Sequence, residues 1–361
     1  MTTDPAPPTP PTPPTTPTQQ NTERVMTRLV REAARELGVR VDVLGEGWIL
    51  RLVEEGKEKP IPRVRHVHGY SFDLNPAATH QICCDKAATS EVLASSGVPV
   101  VPHRLFLHPS MAKFVPHKGT WEGLLAAFRA WGQDVVVKDN EGTGGRGVTR
   151  CRSVVELEEA VYRQFERTES LCVSPFVEIV HEYRFVMLGD GCECVYEKVR
   201  ACVTGDGEST LLELLARQPL LRGLPMAALL ENLEERERSA LTRVVPRGEV
   251  RMPNWRHNLG QGASARLVGD ADAKALPAWG IAHDAARVLG LRFGSVDVVQ
   301  VQYPLSGSSA GVPGAAHRWH DGWGILEVNS GVMMEFLART VPGGEAIARR
   351  VYGRAVAAMF A

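Results

Sequence analysis

The sequence has 361 residues, of which 44% are hydrophobic and 23% charged, with a formal net charge of −1. This length predicts two or three subdomains, and the composition is that of an ordinary soluble globular protein. The small net charge excludes a general attraction to nucleic acid or anionic membranes, and no apolar run reaches the roughly 18 residues of a membrane span.

The first 21 residues contain eight prolines before residue 18 and consist almost entirely of Pro, Thr, Ala and Gln. Such a segment cannot bury apolar surface, so a disordered tail is predicted over 1–21. An SH3-type ligand is the alternative, and a solvated tail is favoured. Because no basic segment precedes an apolar one, no secretory signal is expected, and the predicted location is cytoplasmic.

The seven cysteines are odd in number and irregularly spaced, and none forms a C-x-x-C pair. This pattern supports neither a zinc site nor a disulfide framework. Reduced and mostly buried thiols are expected. The positions are Cys83, Cys84, Cys151, Cys172, Cys192, Cys194 and Cys202.

Residues 22–101 are predicted to form a small N-terminal α/β domain. The pattern gives an amphipathic helix over 21–38, strands over 41–44, 48–52 and near 63–67, and a helix over 85–96. Gly97 ends this last helix, and Pro99 follows it.

Residues 102–177 are predicted to form a second subdomain that carries a glycine-rich loop. The expected elements are strands over 101–107, 134–138, 148–152 and 171–176 and helices over 120–131 and 153–167. Ser153 and Glu156 match the capping box that opens a helix.

Residues 178–361 are predicted to form a third, C-terminal subdomain. The expected elements are a hairpin of strands 183–188 and 193–199, helices over 210–218, 226–238, 272–289 and 343–361, and strands over 293–299 and 323–329. Pro277 is expected near the start of the helix 272–289 or at a kink in it. A polar insertion, 303–322, separates the last two strands.

The glycine loop is the first candidate for chemistry. Its residues are Gly142, Thr143, Gly144, Gly145, Arg146 and Gly147. They match the dinucleotide fingerprint literally, but a strand rather than a helix follows and no acid stands about 20 residues on, so that interpretation is rejected. A hairpin that closes over phosphates with backbone N–H groups remains, with Lys138 supplying positive charge. A mobile surface hairpin with a snorkelling lysine is the alternative.

Three oxygen-bearing side chains form the second candidate. Glu327 and Asn329 are two apart on a strand and so share a face, while Asp297 is the one acid in another apolar strand. Such hard oxygen ligands suit Mg²⁺ held together with substrate phosphates. Buried together, the three groups would need either a cation or basic side chains as partners, and a metal is favoured over solvated strand-end acids.

Together these stretches resemble the ATP-grasp superfamily, in particular its carboxylate–amine ligase branch of cyanophycin-synthetase-like, ribosomal-protein-glutamate-ligase-like and D-alanine-D-alanine-ligase-like proteins. The resemblance covers about residues 80–361. Its motifs are Cys84-Asp85-Lys86, Val137-Lys138 with the glycine loop, Val173 to Glu178, Glu182-Tyr183-Arg184-Phe185, Lys198 to Gly207, Arg256-His257-Asn258-Leu259-Gly260-Gln261-Gly262 and Leu326-Glu327-Val328-Asn329.

The resemblance implies an α/β fold in which two antiparallel sheets hold ATP. It further implies that Lys86, Lys138 and the glycine loop contact phosphates. The stretch Phe176, Val177 and Glu178 would contact adenine, Glu182 the ribose, and Asp297, Glu327 and Asn329 two Mg²⁺ ions, with Mn²⁺ as a substitute. Arg200, Arg256 and Asn258 are the catalytic candidates.

The implied reaction is the attack of a carboxylate on the γ-phosphorus of ATP, followed by displacement of phosphate from the acyl phosphate by an amine. Amino acids or short peptides are the expected substrates, and homo-oligomers are compatible with the pattern. Two alternatives stay open: an ATP-grasp phosphotransferase with a non-carboxylate acceptor, and a nucleotide-binding protein without turnover.

Three positions depart from the resembled pattern. Ser174 stands where an acid is common, and Ser295 stands where D-alanine-D-alanine ligases carry arginine, which argues against that reaction. The stretch from Ser330 to Glu335 stands in place of the usual S-P-G. This predicts that the substrate-binding end of the site differs from that of the resembled proteins. Glu335 is either a contact for a substrate amine or an acid at the start of a helix, and the second is favoured.

Overall fold

The computed structural model describes residues 23–55, 61–111, 114, 120–145, 147–218, 230, 233–302 and 322–361. The predicted tail, Arg146, nearly all of the 303–322 insertion and, of the predicted helix 226–238, residues 226–229, 231 and 232 lie outside the described residues.

The N-terminal part folds as a helix beside a four-stranded antiparallel sheet. Its elements are α1 (Val25–Glu36), β1 (Arg40–Leu44), β2 (Ile49–Glu54), β3 (Arg63–His68) and β4 (Ser71–Phe72), with the strands paired in chain order. The helices α2 (Ala77–Cys84) and α3 (Lys86–Ser95) follow. Asp85 separates them because its carboxylate caps α3, accepting from the Ala88 N–H at 2.7 Å. Of these elements, β4 and α2 were not predicted.

The next part contains a second four-stranded antiparallel sheet, which we call the small sheet. Its elements are β5 (Arg104–Leu107), α4 (Trp121–Ala130), β6 (Val135–Asp139), β7 (Thr149–Cys151), α5 (Val154–Phe165) and β8 (Ser170–Pro175), with the strand order β5-β8-β6-β7. Only half of the predicted capping box forms. Ser153 Oγ accepts from the Glu156 N–H, but the Glu156 carboxylate accepts from the Arg152 N–H.

The third part is built on a five-stranded antiparallel sheet, which we call the large sheet. The remaining strands are β9 (Ile179–Leu188), β10 (Gly191–Val199), β11 (Val203–Thr204), β12 (Val250–Arg251), β13 (Ser264–Val268), β14 (Phe293–Val301) and β15 (Trp323–Asn329). The large sheet has the order β13-β10-β9-β14-β15, and β11 pairs with β12 apart from it. The remaining helices are α6 (Leu211–Arg217), α7 (Glu235–Arg238), α8 (Asp270–Ala275), α9 (Ala278–Leu289), α10 (Glu335–Thr340) and α11 (Gly344–Phe360).

The single helix predicted over 272–289 is wrong: the structure has α8 and α9 there. Leu276 lies between them in an extended conformation, with φ −68° and ψ 136°. A residue before proline is driven out of the helical region by the proline ring, so Pro277 ends one helix and begins the next.

Two apolar cores cover the two faces of the large sheet. One joins Phe185 and Val298 to α9 and α3. The other joins Val186 and Phe293 to α1, the N-terminal sheet and Tyr352 of α11. The N-terminal part and the last helix therefore share a core, and the domain boundaries drawn from the sequence stay predictions. None of the described helices is long and apolar enough to cross a membrane.

Tyr352 should be a sensitive position for stability. Its side chain is fully buried, and its hydroxyl donates to the Val332 carbonyl and accepts from the Met334 N–H, both at 3.0 Å. In Tyr352→Phe two buried backbone groups lose their partner, so urea denaturation should show a loss of about 1–3 kcal/mol. Tyr162→Phe, at a side chain that is 66% exposed, is the matched control and should leave the midpoint unchanged. Equal midpoints for the two variants would contradict the role of the hydroxyl.

Candidate functional site

One face of the large sheet carries a set of charged side chains. Asp297 of β14 lies opposite Arg184 of β9 and opposite Glu327 of β15, and Ser295 lies opposite Asn329. Residues directly opposite in antiparallel strands point to the same side of a sheet. The three predicted metal ligands are therefore on one face: spacing required this of Glu327 and Asn329, and strand register adds Asp297.

Asp297 is the centre of a buried ion-pair network. Its carboxylate accepts two bonds from Arg184, at 2.7 and 2.6 Å, and a third from Lys198 Nζ at 2.8 Å. Lys198 also donates to Glu182 at 2.5 Å. Burial alone would raise the pKa of Asp297, but Arg184 and Lys198 outweigh it and lower that pKa to about 2. Asp297 is therefore ionised at neutral pH.

These contacts bear on the predicted metal site. The sequence left either a cation or basic side chains as partners for the acids, and basic side chains are present: both oxygens of Asp297 are engaged. Among the described residues there is no group of three or more His, Cys, Asp or Glu that could hold a metal ion. Glu327 has a side chain that is 30% exposed, and the buried amide nitrogen of Asn329 has no hydrogen-bond partner among the described residues. The carboxylate of Glu327 and the amide oxygen of Asn329 have the chemistry for a metal bound with phosphates. Asp297 as a metal ligand stays a prediction.

Lys86 connects this polar face to the glycine loop. Its ammonium group donates to the Gly142 carbonyl at 2.5 Å and lies 3.6 Å from Glu327 Oε1. A small cavity lies among Lys86, His103 and Glu327. The first residue of α3, the loop between β6 and β7, and β15 thus meet at one place.

Lys138 lies on β6 with an unpredicted partner. Its Nζ is 2.8 Å from Nε2 of His103, whose Nδ1 is 2.9 Å from the Val101 carbonyl. Since a carbonyl only accepts, Nδ1 carries the proton and Nε2 accepts from the ammonium group. Burial, then the charge of Lys138, lowers the pKa of His103, and burial lowers the pKa of Lys138. A neutral imidazole therefore positions the lysine.

The glycine loop packs against residues 256–261. Gln261 Nε2 donates to the Gly145 carbonyl at 3.1 Å, and Arg256 donates to the Val148 carbonyl and to Gln261 Oε1. Gly144, Gly145 and Gly147 have φ between +67° and +72°, a region open to glycine. Arg256 and Asn258 are thus brought to the loop, Thr143 is exposed on it, and Arg146 lies outside the described residues.

Residues 176–178 connect the small sheet to the large one. The Phe176 ring lies under the Arg150 guanidinium, 3.3 Å from its centroid, and Val177 is packed with Val101. Glu178 Oε1 is 3.7 Å from Arg200 Nη1, which places Arg200 at this connection. The predicted adenine contacts are therefore contiguous, between the two sheets. Glu182, the predicted ribose acid, is 4% exposed and engaged with Lys198.

No roles were predicted from the sequence for Arg184, Lys198 or His103. Arg184 could have been found if the predicted strand 183–188 had begun earlier, because β9 also includes Glu182 and residues two apart on a strand share a face. The contact of Lys198 with Glu182 and Asp297 could be predicted only from the register of the β9–β10 hairpin. His103 stands in a connecting segment whose sequence gives no signal for a contact with Lys138, 35 positions away.

The chain is similar in sequence to two kinds of curated protein. The chain is 29% identical over 203 residues to the glutathione biosynthesis bifunctional protein GshAB of Lactiplantibacillus plantarum, covering 55% of this chain. It is 27% identical over 233 residues to cyanophycin synthetase of Trichormus variabilis, covering 61% of this chain. The chain spans about a quarter of the length of these curated relatives: 24% of each is matched. No protein-family model matches the sequence.

Among solved structures, a bifunctional glutathione synthetase from Pasteurella multocida is similar, with a TM-score of 0.50 and 18% sequence identity. The match covers 92% of this chain and 45% of that one. At this identity the likeness concerns the fold, and it includes the N-terminal part as well as the two sheets that face the candidate site.

Proposed function

We propose that this chain is an ATP-dependent carboxylate–amine ligase of the ATP-grasp superfamily, which its sequence motifs resemble. The observation that carries the proposal is the contact of Lys86 with both the Gly142 carbonyl and the Glu327 carboxylate. This contact brings the glycine loop, which is suited to binding phosphates, next to Glu327, whose oxygen atoms are suited to binding a metal. The names of the sequence relatives, a glutathione biosynthesis protein and a cyanophycin synthetase, favour a ligase over a phosphotransferase.

In this proposal the nucleotide lies between the small and the large sheet. Phosphates are held by Lys86, Lys138 and the backbone of Gly142 to Gly147. Adenine contacts the connection at 176–178, and Glu182 accepts from the ribose. Glu327 and Asn329, with Asp297, would hold Mg²⁺, which supplies neutralisation of the phosphate charge when bound.

The proposed chemistry needs positioning more than covalent help. A substrate carboxylate oxygen attacks the γ-phosphorus, the bond to the ADP oxygen breaks, and an amine then displaces phosphate from the acyl phosphate. Arg200 and Arg256 are proposed to hold the carboxylate or the transferring phosphoryl group, because a guanidinium offers a fork of donors. Asn258 is proposed to complete the site beside the loop.

The requirement for two substrates tests this function. Purified protein with ATP and Mg²⁺ should release ADP and phosphate only when both a carboxylate and an amine are present, in a screen of amino-acid and dipeptide pairs. A phosphotransferase would form ADP with one acceptor and no amine, and a non-catalytic protein would bind ATP without forming ADP. Either result would contradict the ligase proposal.

The loop contact at Gly145 gives a sharper test of the nucleotide site. A Cβ added at Gly145 would lie 2.4 Å from Asn258 Nδ2, whereas one added at Gly144 would meet nothing within 4 Å, and the two φ angles are +70° and +72°. Asn258 cannot move freely because its Oδ1 accepts from the Gly260 N–H at 2.8 Å. Both alanine variants carry the same backbone strain, so any difference between them reports the clash.

We expect Gly145→Ala to weaken ATP binding by about tenfold more than Gly144→Ala, equivalent to about 1.4 kcal/mol. Isothermal titration with a non-hydrolysable ATP analogue measures this without turnover. Equal affinities for the two variants would mean that the loop does not dock on Asn258 when nucleotide binds.

A further inference from the structure

A cysteine, a histidine and a serine lie together at one end of β15. Cys84 is the last residue of α2, His80 is one turn earlier on it, and Ser330 directly follows Asn329. His80 Nδ1 is 2.7 Å from Ser330 Oγ, and His80 Nε2 is 3.8 Å from Cys84 Sγ. Cys84 Sγ is also 3.9 Å from Ser330 Oγ. The three side chains form a connected group that the proposed ligase chemistry does not use.

The two ring nitrogens of His80 have different partners. Ser330 is only 3% exposed, so it is a fixed point against which the ring is oriented. With the proton on Nδ1 donated to Ser330 Oγ, Nε2 keeps its lone pair towards the thiol. A base in contact with a thiol and oriented by a third group is the arrangement that activates a nucleophile. Cys84 is exposed, so a reagent can reach it.

The other cysteines lack this combination. Burial raises the pKa of Cys172 to about 11 and that of four others to about 12, namely Cys83, Cys151, Cys192 and Cys194. Cys202 is exposed like Cys84, but among the described residues none forms a hydrogen bond with its thiol. Cys202 is therefore an internal reference for an exposed thiol without a base.

We propose that Cys84 is a nucleophilic thiol and a site of covalent modification, with His80 as its base and Ser330 as the positioning residue. The ligand class is a soft electrophile, such as the disulfide of a small thiol. The Cys84 sulfur attacks one sulfur of that disulfide and forms a new S–S bond. The other sulfur leaves and takes up the proton that His80 removed, so Cys84 is oxidised as the added disulfide is reduced.

The location connects this modification to the candidate site. Asp85, which caps α3, and Lys86, which contacts Gly142 and Glu327, directly follow Cys84. On its other side, Ser330 follows Asn329. An adduct on the sulfur replaces the contacts of Cys84 Sγ with His80 and Ser330, beside the chain segments that carry Lys86 and Asn329. Modification of Cys84 therefore lowers ATP turnover, a consequence that rests on the proposed ligase function.

The reactivity is tested without any substrate. Under limiting iodoacetamide, peptide mass spectrometry gives the alkylation rate of each cysteine in the same molecule. We expect Cys84 to react about tenfold or more faster than Cys202, and His80→Asn to abolish that difference while the rate of Cys202 is unchanged. Equal rates in the wild-type protein, or a Cys84 rate that His80→Asn does not change, would overturn the proposal.

The buried cysteines report whether a variant is folded. If the buried cysteines become reactive in His80→Asn, that variant is not properly folded. The alkylation rate of Cys84 in Ser330→Ala then tests the proposal in its place. A slower Cys84 reaction, with the buried thiols still protected, then supports the positioning of His80, and an unchanged rate overturns it.

The consequence is tested with 2-hydroxyethyl disulfide. We expect a single mixed disulfide on Cys84, a fall in ADP formation, and recovery of both mass and activity with dithiothreitol, with no effect on Cys84→Ser. An adduct that leaves ADP formation unchanged would overturn the link to turnover. If no ADP forms under any condition, the ligase proposal fails while the alkylation rates still decide on Cys84.

Discussion

Replacing Asp297 by asparagine should cost about 3–5 kcal/mol of folding free energy. The carboxylate is fully buried and accepts from Arg184 and Lys198. Removing one partner of a buried ion pair leaves an uncompensated charge in a poorly hydrated place. Urea denaturation monitored by circular dichroism measures the loss, because asparagine keeps the shape of the side chain and removes its charge.

Asp42→Asn is the matched control. Asp42 also accepts two bonds from one arginine, Arg51, and a further bond from Arg40, but it does so at the protein surface. Water replaces the lost contacts there, so little change in the midpoint is expected. Similar midpoints for both variants would mean that Asp297 is not paired, and that its oxygens are open to a metal ion instead.

The ion pairs of Asp297 with Arg184 and Lys198 also predict how the stability of the protein depends on pH. The folded-state pKa of Asp297 is lowered to about 2 from an ordinary value of 3.8. A lowered acid pKa gives stability that is present above the unfolded value and is lost as pH falls through the folded value. The difference in unfolding free energy between wild type and Asp297→Asn should therefore shrink between about pH 4 and pH 2. A constant difference would contradict the lowered pKa.

Glu327→Gln should reduce ADP formation by about 100-fold or more while leaving the fold intact. Its carboxylate lies 3.6 Å from Lys86 and is partly exposed, so its ion pair contributes little to stability. Its proposed role is to help hold the Mg²⁺ that would neutralise charge at the phosphates, and glutamine, which carries no negative charge, would hold that ion more weakly. The ATP-dependent release of ADP, in the presence of an active carboxylate and amine pair, measures the effect.

Glu141→Gln serves as the control for this change. Glu141 is an exposed acid immediately before the glycine loop, so it lies near the site. It is not one of the residues proposed to hold phosphate or Mg²⁺. We expect ADP formation close to that of the wild-type protein. Undiminished ADP formation in Glu327→Gln, with the control behaving the same way, would show that the assigned site is wrong.

Much of the architecture follows from local sequence. The helical period of Val25, Leu29, Ala33 and Leu37 predicts α1, although Leu37 proves 47% exposed. The apolar strands around Asp297 and Glu327 predict β14 and β15. The ATP-grasp resemblance gave the fold and the order of its motifs. Elements too short to show a period, such as β4, were missed. Glu335 begins α10, as the favoured interpretation of that acid predicted. Pro277 was expected at a helix start or a kink, but a full separation of α8 from α9 was not predicted.

The sequence by itself determined that a carboxylate and an amide lie side by side on β15, because residues two apart on a strand always share a face. The choice between a metal and basic side chains as their neighbours was left to the tertiary structure. That choice depends on strand register, which no local pattern contains.

A bulge in the hairpin of β9 and β10 sets the register that brings Lys198 to the acids of this face. Met187 pairs with Cys192, but Val186 pairs with Cys194, so Glu193 is extra and every later pair is shifted by one. The shift places Lys198 beside Glu182 rather than on the opposite face of the sheet. From there Lys198 Nζ donates to Asp297, 99 positions along the chain, so a basic side chain contacts the acid that the sequence also proposed as a metal ligand.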